Sequence, residues 1–571
     1  MSRKLFLPFL LILLVQAVFS QTTATKTETE KADELKKQAV ELLRETSQDV
    51  GNLRTLENRI SFSAEIAALM WFHDEKEART MYQTTINDFR ELLSQIETQY
   101  NSLDAAEQTE DSTDDFIFGG GTGSKAIVMR KFMKAMSVRQ QIALSIAEHD
   151  PQMGYDFFTG TAQAFTNPQL VSQVAGRDTY IELKLLDLMA EKDVDKALEA
   201  GRKLLAKGKT FELLGLLRKI YDKDDEKGAA FGEEILSKMK ASDSTRADGY
   251  YYYSSILNLG VENLEKIKDT PDKKPLFSRD SLRQIADLFA QEILTRDFAD
   301  LTQLESSIAL IEKFSPARAT QIRLKFKDTK KPETASVSSM EVRTVAANER
   351  QTENTEQQQK IAEEVKKLAD KQLPKEEREK IIAQTRQIVS KIKNREQKIV
   401  ALSLLASQVA GLGDKELALE IMTEARNLVT LQPKNYRDYL GVWMLVNGYA
   451  QVDSDKAFPI LEDAILRLNG TISAFIKVGE FIDVNSDFIE DEEVQVGSFG
   501  GEITRGLLGN LGAADTTLST LAKADFARTR ALTNKFDRLE VRILAKMLVL
   551  RAVLGEKKTE TKVLDVKTEA K

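Results

Sequence analysis

The chain has 571 residues, enough for several domains or one long array of repeats. A hydrophobic fraction of 42% supports a large core, and 30% charged residues with only 10 prolines suit a helical protein with a solvated outer surface. A formal net charge of −8 argues against a dedicated nucleic-acid binder, and the lack of cysteine excludes a disulfide framework, a thiol nucleophile and a lipidated N-terminal cysteine.

Residues 1–20 read as a signal peptide. Arg3 and Lys4 form a positive start, Leu5 to Phe19 an apolar stretch, and Val18 and Ser20 suit the recognition sites of a signal peptidase, which would leave Gln21 at the new N-terminus. A membrane anchor is the weaker alternative, because the apolar run falls short of the roughly 20 residues that span a bilayer. No later apolar run reaches 18 residues without a charge. The processed chain is therefore expected to be exported, to the periplasm or the extracellular space, and not to be an integral membrane protein.

Residues 21–100 predict N-terminal helices, with a hairpin around Asp74, and residues 101–126 an acidic, Gly-rich loop. Residues 127–327 predict a first helical-repeat array. Residues 328–359 are polar with almost no apolar periodicity and are expected to be a disordered linker. Residues 360–554 predict a second array, interrupted by a loop at 483–502, and residues 555–571 a disordered tail. The last helix, within "LEVRILAKMLVLRAVL", is apolar on nearly all sides except at Arg542, Lys546 and Arg551, which points to burial between neighbouring helices.

The arrays are recognised by a recurring unit: an apolar residue, a small residue, a two-residue spacer and Asp. It occurs at Ile146–Asp150, Val174–Asp178, Met189–Asp193, Tyr449–Asp453 and Leu521–Asp525. Looser forms end at Asp74 and Asp297, and one with an extra residue runs from Val409 to Asp414. Four residues after the Asp stands a small residue: Ala78, Gly154, Ala197, Ala418, Ala457 or Thr529. The pattern fails at Glu182 and Leu301.

Physically this is a helix hairpin. The Asp caps free N–H groups at the start of the second helix, and the small residue one turn later lets the two helices approach. Glu182 predicts a more open hairpin and a nearly neutral Glu182→Ala. The segment Lys196 to Leu205 recurs 31 residues later as Lys227 to Leu236, and Ala418 to Ala425 recurs 39 residues on as Ala457 to Ala464. Periods in the thirties with two helices each predict an all-α fold, with helix-hairpin repeats stacked into an α-solenoid or superhelix.

The stretch Leu402 to Leu428 resembles a tetratricopeptide repeat: Leu405, Ala406, Gly413, Ala418, Met422 and Ala425 fall on its small and apolar positions, with the closing proline displaced to Pro433. The order of units also resembles large exported bacterial helical-repeat proteins of unknown function. That likeness implies a superhelical array and a binding role, and transfers no functional residue.

Residues that could carry chemistry are few. His73 and His149 each precede a capping Asp, where a polar turn residue accounts for them better than a metal or acid–base site. Without Cys or an H-E-x-x-H pair, zinc has few ligands. "FGGGTGSKA" carries Ser124 before Lys125, the reverse of a phosphate loop, and follows an acidic segment rather than a strand. Asp483, Asn485 and Asp487 begin a near-match to a calcium loop, with Phe488 where Gly is needed and Val494 where a bidentate Glu is needed. In the run Tyr250 to Tyr253, consecutive positions face several directions, so some rings pack inside and others reach solvent. No catalytic, cofactor-binding or metal-binding residue is assigned, and no cofactor is expected. The sequence favours a non-enzymatic binding or scaffold protein presenting a concave surface to a protein, peptide or cell-wall glycan. The alternative is a cell-envelope enzyme of the murein-cleaving superhelical type.

Overall fold

The computed structural model describes residues 30–107, 124–241, 249–270, 272–296, 304–326, 363–364, 366–368, 374–481, 489–500 and 517–555. The expected signal peptide, the linker at 328–359 and the tail beyond Gly555 lie outside them. The described residues are overwhelmingly α-helical, in helix hairpins packed side by side, as the repeat pattern predicts. Two compact units form: residues 1–135 together with 343–571, and residues 136–342.

The unit of residues 136–342 takes the second half of α4 (Ser124–His149) and the helices α5 (Pro151–Ala162), α6 (Pro168–Lys192), α7 (Val194–Ala206), α8 (Leu214–Lys223), α9 (Asp225–Ala241), α10 (Gly249–Lys266), α11 (Arg279–Thr295), α12 (Glu305–Glu312) and α13 (Pro316–Lys325). Helices α6 and α7, α8 and α9, α10 and α11, and α12 and α13 form consecutive hairpins, and α6 stacks on α8 and α10 on α12. Leu185, Leu186, Met189, Leu204, Leu216, Leu217, Phe231 and Ile235 are buried between them.

One residue makes each tight hairpin junction. Asp193 has φ −147° and ψ 96°, the sole non-helical residue between α6 and α7. Its N–H donates to the Met189 carbonyl at 2.7 Å, closing the last turn of α6. Its carboxylate accepts from the Lys196 N–H at 3.1 Å, opening α7. A strained interruption is thus avoided: the same residue ends one helix and caps the next. Asp150, Asp224 and Asp525 repeat the arrangement, with carboxylates accepting from the N–H three residues on at 3.0, 3.0 and 2.9 Å. Asp453 shares the backbone geometry, and Asp74 caps in the same way.

The small residue that follows sits at the helix contact. Ala78, Ala197, Ala418, Ala457 and Thr529 are fully buried. At Gly154 a Cβ would fall 2.7 Å from both the Ala143 carbonyl and the Ala147 side chain, so even alanine is too large there. The extra residue before Asp414 also has a reason. Gly413 takes φ +93°, and the Gly413 and Asp414 N–H groups bond back to Ala410 and Val409, a left-handed stop before the cap.

Two expectations are corrected. Asp178 is no cap: it lies inside α6 and its carboxylate accepts from Arg139 Nη1 at 2.8 Å. Arg139 is fully buried, also donating to Thr161 Oγ1 and the Phe158 carbonyl, with its guanidinium 4.1 Å from the Phe158 ring centre. The apolar–small–Asp signature was reproduced there by a helix interior. Glu182, one turn on, accepts from the Tyr155 hydroxyl at 3.1 Å, so it joins α5 to α6 instead of opening a hairpin. Asp297 lies outside the described residues.

The other unit contains α1 (residues 30–50), α2 (Leu56–Met70), α3 (Glu75–Glu107) and the first half of α4. It also contains α14 (Lys375–Ser390), α15 (Arg395–Gly411), α16 (Lys415–Asn427), α17 (Tyr436–Val452), α18 (Ser454–Phe481), α19 (517–524), α20 (Phe526–Thr533) and α21 (Leu539–Leu554). Helix α3 runs through Glu107 and α4 starts at Ser124, so both ends of the expected 101–126 loop are helical; its middle lies outside the described residues.

A continuous core joins Leu42, Leu43, Phe62 and Ile66 to Leu405, Met422, Leu445, Leu461, Met547 and Leu550. The N-terminal helices therefore complete the second array. The cations that interrupted the final apolar helix all have partners: Lys546, 2% exposed, donates to Glu45 at 3.1 Å and Asp49 at 2.8 Å, Arg551 pairs with Glu65, and Arg542 bonds the Phe536 carbonyl.

The expected loop at 483–502 holds a small antiparallel hairpin, β1 (Ile489–Glu490) and β2 (Glu493–Val494). Asp491 and Glu492 form its turn with φ of 47° and 63°, a conformation costly for such residues. Arg54 pairs with Glu492 at 2.6 Å and Arg538 bonds the Glu492 carbonyl, holding the turn. The Glu493 carboxylate, almost fully buried, caps α2 by accepting from the Arg54 and Thr55 N–H groups, and from the Thr55 hydroxyl and the Asn58 amide.

Candidate functional site

The 136–342 unit carries an open groove of about 780 Å³. Its walls follow from the hairpin repeat. The first helices of three consecutive hairpins, α6, α8 and α10, supply most of its lining. Thr179, Tyr180 and Leu183 come from α6, Gly215 and Arg218 from α8, and Ser255, Asn258 and Glu262 from α10. The turn before α8 adds Lys209, Phe211 and Glu212.

Two aromatic rings lie at this surface. Tyr180 is 69% exposed and Phe211 40%. Phe211 packs edge-to-face on Tyr252, with ring centres 4.7 Å apart, so it is held in place while staying accessible. Charges surround the rings in balanced pairs. Arg218 of α8 reaches Glu262 of α10 at 2.6 Å, and Lys209 reaches Glu212 at 3.3 Å. The bond from Lys266 and then the Arg218 charge hold the Glu262 carboxyl below the usual carboxylate range. Apolar rings within a paired polar rim are suited to an amphipathic chain with aliphatic or aromatic side groups and main-chain hydrogen-bonding groups.

The tyrosine run divides as expected. Tyr253 is buried against Phe289, Tyr250 bonds Ser307 at 2.7 Å, Tyr252 supports Phe211, and Tyr251 is 68% exposed. His73 is exposed at the α2–α3 turn, and His149 ends α4, where its carbonyl accepts from Lys192 at 2.7 Å. Among the described residues no three or more His, Asp and Glu side chains converge to hold a metal ion. Ser124 and Lys125 begin α4, with the Lys125 ammonium 5.2 Å from the Tyr100 ring centre; the glycines before them lie outside the described residues. Asp483, Asn485, Asp487 and Phe488 also lie outside, and Val494, where a calcium loop would need its last ligand, is buried in β2.

Tyr180 and Phe211 escape a reading based on repeats. Tyr180 falls on the polar stripe of α6, off the Ile181, Leu185 and Leu188 face, and an aromatic residue on a polar stripe was the available signal. Among the described residues no helix is long and apolar enough to cross a membrane. Comparisons with models of known protein families, with characterised proteins and with solved structures return no match to this chain.

Proposed function

We propose that this chain is an exported, non-enzymatic helical-repeat scaffold whose 136–342 unit holds an extended segment of a protein partner in the groove of α6, α8 and α10. The observation that carries this reading is the pair of exposed rings, Tyr180 and Phe211, set in a groove of about 780 Å³ with a paired ionic rim. Aromatic anchors in a concave surface supply most of the binding energy where a flexible partner is captured. The signal-like residues 1–20 support export, and the resemblance of residues 402–428 to a tetratricopeptide repeat supports a binding role. A photo-crosslinking side chain at position 180, with a control at Lys203 on the exposed face of α7, tests the proposal in an envelope extract. A discrete, stoichiometric protein adduct at 180 and none at 203 is expected. Adducts of equal yield at both positions, or turnover of cell-wall glycan by the purified protein, would replace the scaffold with non-specific contact or with the murein-cleaving alternative.

A further inference from the structure

The unit of residues 1–135 and 343–571 contains a smaller cavity of about 130 Å³. Glu57 of α2, Lys131 and Lys134 of α4, and Gln495 after the hairpin line it, against an apolar wall that includes Val128 and Phe499. Its charges are already committed. Lys131 Nζ lies 2.8 Å from Glu57 Oε1 and also bonds Glu490, and Lys134 has a partner of its own. Three buried polar atoms are left over. Gln495 is only 3% exposed, yet neither its Nε2 nor its Oε1 has a hydrogen-bond partner among the described residues. Glu57 Oε1 has none either, because the Lys131 ammonium approaches it as an ion pair but off the angle of a hydrogen bond.

Buried polar groups in folded proteins are almost always paired, because the lost hydration is otherwise uncompensated. The unused set here is two acceptors, Gln495 Oε1 and Glu57 Oε1, and one donor group, Gln495 Nε2. A primary carboxamide is its complement, with two N–H donors and a carbonyl acceptor on one planar group. Set against the Gln495 amide it closes two hydrogen bonds at once, and its second N–H is left for Glu57. The charges favour a neutral ligand. An anion finds no uncommitted cation, since both carboxylates draw on Lys131 and Lys134 is engaged. A cation would be set beside Lys131 and Lys134 as well as beside the carboxylates. Burial, followed by the Glu57 charge, also pushes the Glu490 carboxyl above its usual range, toward its uncharged form. The volume is close to that of a buried cavity that admits benzene, so a molecule of about six non-hydrogen atoms or fewer fits. Acetamide is within that limit, and its methyl group suits the Val128 and Phe499 wall.

We infer that this cavity binds a small, neutral primary carboxamide of acetamide's size. The ligand carbonyl accepts from Gln495 Nε2, one N–H donates to Gln495 Oε1 and the other to Glu57 Oε1, and the short alkyl group meets Val128 and Phe499. This site is independent of the groove and of the scaffold function proposed for it.

Titration of the full chain with acetamide, read by saturation transfer to the ligand methyl signal in NMR, tests the assignment. A ligand this small binds weakly, so the series extends into the high millimolar range. Acetamide should saturate. N,N-Dimethylacetamide keeps the carbonyl but lacks both N–H donors, and should bind roughly tenfold more weakly or worse; acetate and ethylamine, which carry a charge, should do likewise. Gln495→Met keeps a side chain of similar length without the amide, and should weaken acetamide binding by a similar factor. If that variant does not fold, the comparison of acetamide with N,N-dimethylacetamide on the parent chain decides. No saturable signal with acetamide, the behaviour of a cavity that holds only water, would overturn the inference. So would equal affinity for N,N-dimethylacetamide, or a folded Gln495→Met that binds acetamide as tightly as the parent. Tighter binding of ethylamine or of acetate would replace the neutral amide site with a cation or an anion site.

Discussion

A single aspartate at each tight junction does two jobs, and its energetic weight is testable. Asp193→Ala removes the acceptor for the Lys196 N–H and should cost about 0.5–2 kcal/mol, read from the urea midpoint of the full chain. The equivalent Asp224 adds a pH signature. The Lys227 N–H bond, the largest influence, holds its carboxyl below the usual Asp range. The stabilisation is therefore fully present above the unfolded value of about 3.9 and is lost as pH falls through the lower folded value. The gap in urea midpoint between the parent and Asp224→Ala should narrow as the pH is brought down through that range; a gap that widened would contradict the cap. Arg139 is the contrasting case. It is fully buried and answered by Asp178, so Asp178→Ala should cost roughly 3–5 kcal/mol by leaving an uncompensated charge. Arg139→Met combined with Asp178→Leu should cost far less, because neither charge remains. Glu182→Ala should be measurably destabilising through the lost Tyr155 bond, contrary to the neutral outcome its place in the repeat suggested.

Helix hairpins set the tolerance of each element to volume. In α5, Gly154→Ala pushes a methyl group to 2.7 Å from backbone and side-chain atoms of α4 and should cost about 1–3 kcal/mol. In α18, Gly470 has nothing within 4 Å of the same added atom, and Gly470→Ala should stabilise by roughly 0.5–1 kcal/mol by restricting the unfolded chain and raising helix propensity. Thermal melts of the two variants should therefore move in opposite directions. Ala197→Leu, at a fully buried contact between α6 and α7, belongs with the first and should also cost about 1–3 kcal/mol. If it left the midpoint unchanged, the close approach of those helices would be wrong.

At the scale of the whole chain, one compact unit is assembled from residues far apart in sequence. Lys546 with Glu45 and Asp49, and Glu493 with Arg54, Thr55 and Asn58, tie the two ends of the chain into one core. A protease site inserted between Ala346 and Ala347 should therefore leave the two fragments associated after cleavage. They should co-elute on gel filtration under native conditions and separate only in denaturant. Lys546→Met leaves Glu45 without its buried partner and should lower the denaturant concentration at which they part. Fragments that separated immediately in native buffer would show that residues 30–107 do not complete the second array.

Much of this was legible in the sequence because it is local. Helix formation, the junction aspartates and the small residue one turn later depend on neighbours within a few positions, so composition and spacing were enough to specify an all-α repeat. The burial of the final helix followed from its apolar faces. Up to the Asp, local pattern could not separate Asp178 from Asp193; the one difference in sequence was Glu182 in the place that Ala197 takes after Asp193, and it is Arg139 across the helix contact that makes Asp178 a buried ion-pair partner rather than a cap. Nor could local pattern reveal that Glu493 caps a helix more than four hundred residues earlier, or that Gln495 sits unpaired beside Glu57 and Lys131. Those features depend on which surfaces meet once apolar faces are buried, and non-local contacts of that kind are decided by the packing of the whole unit rather than by any stretch of chain.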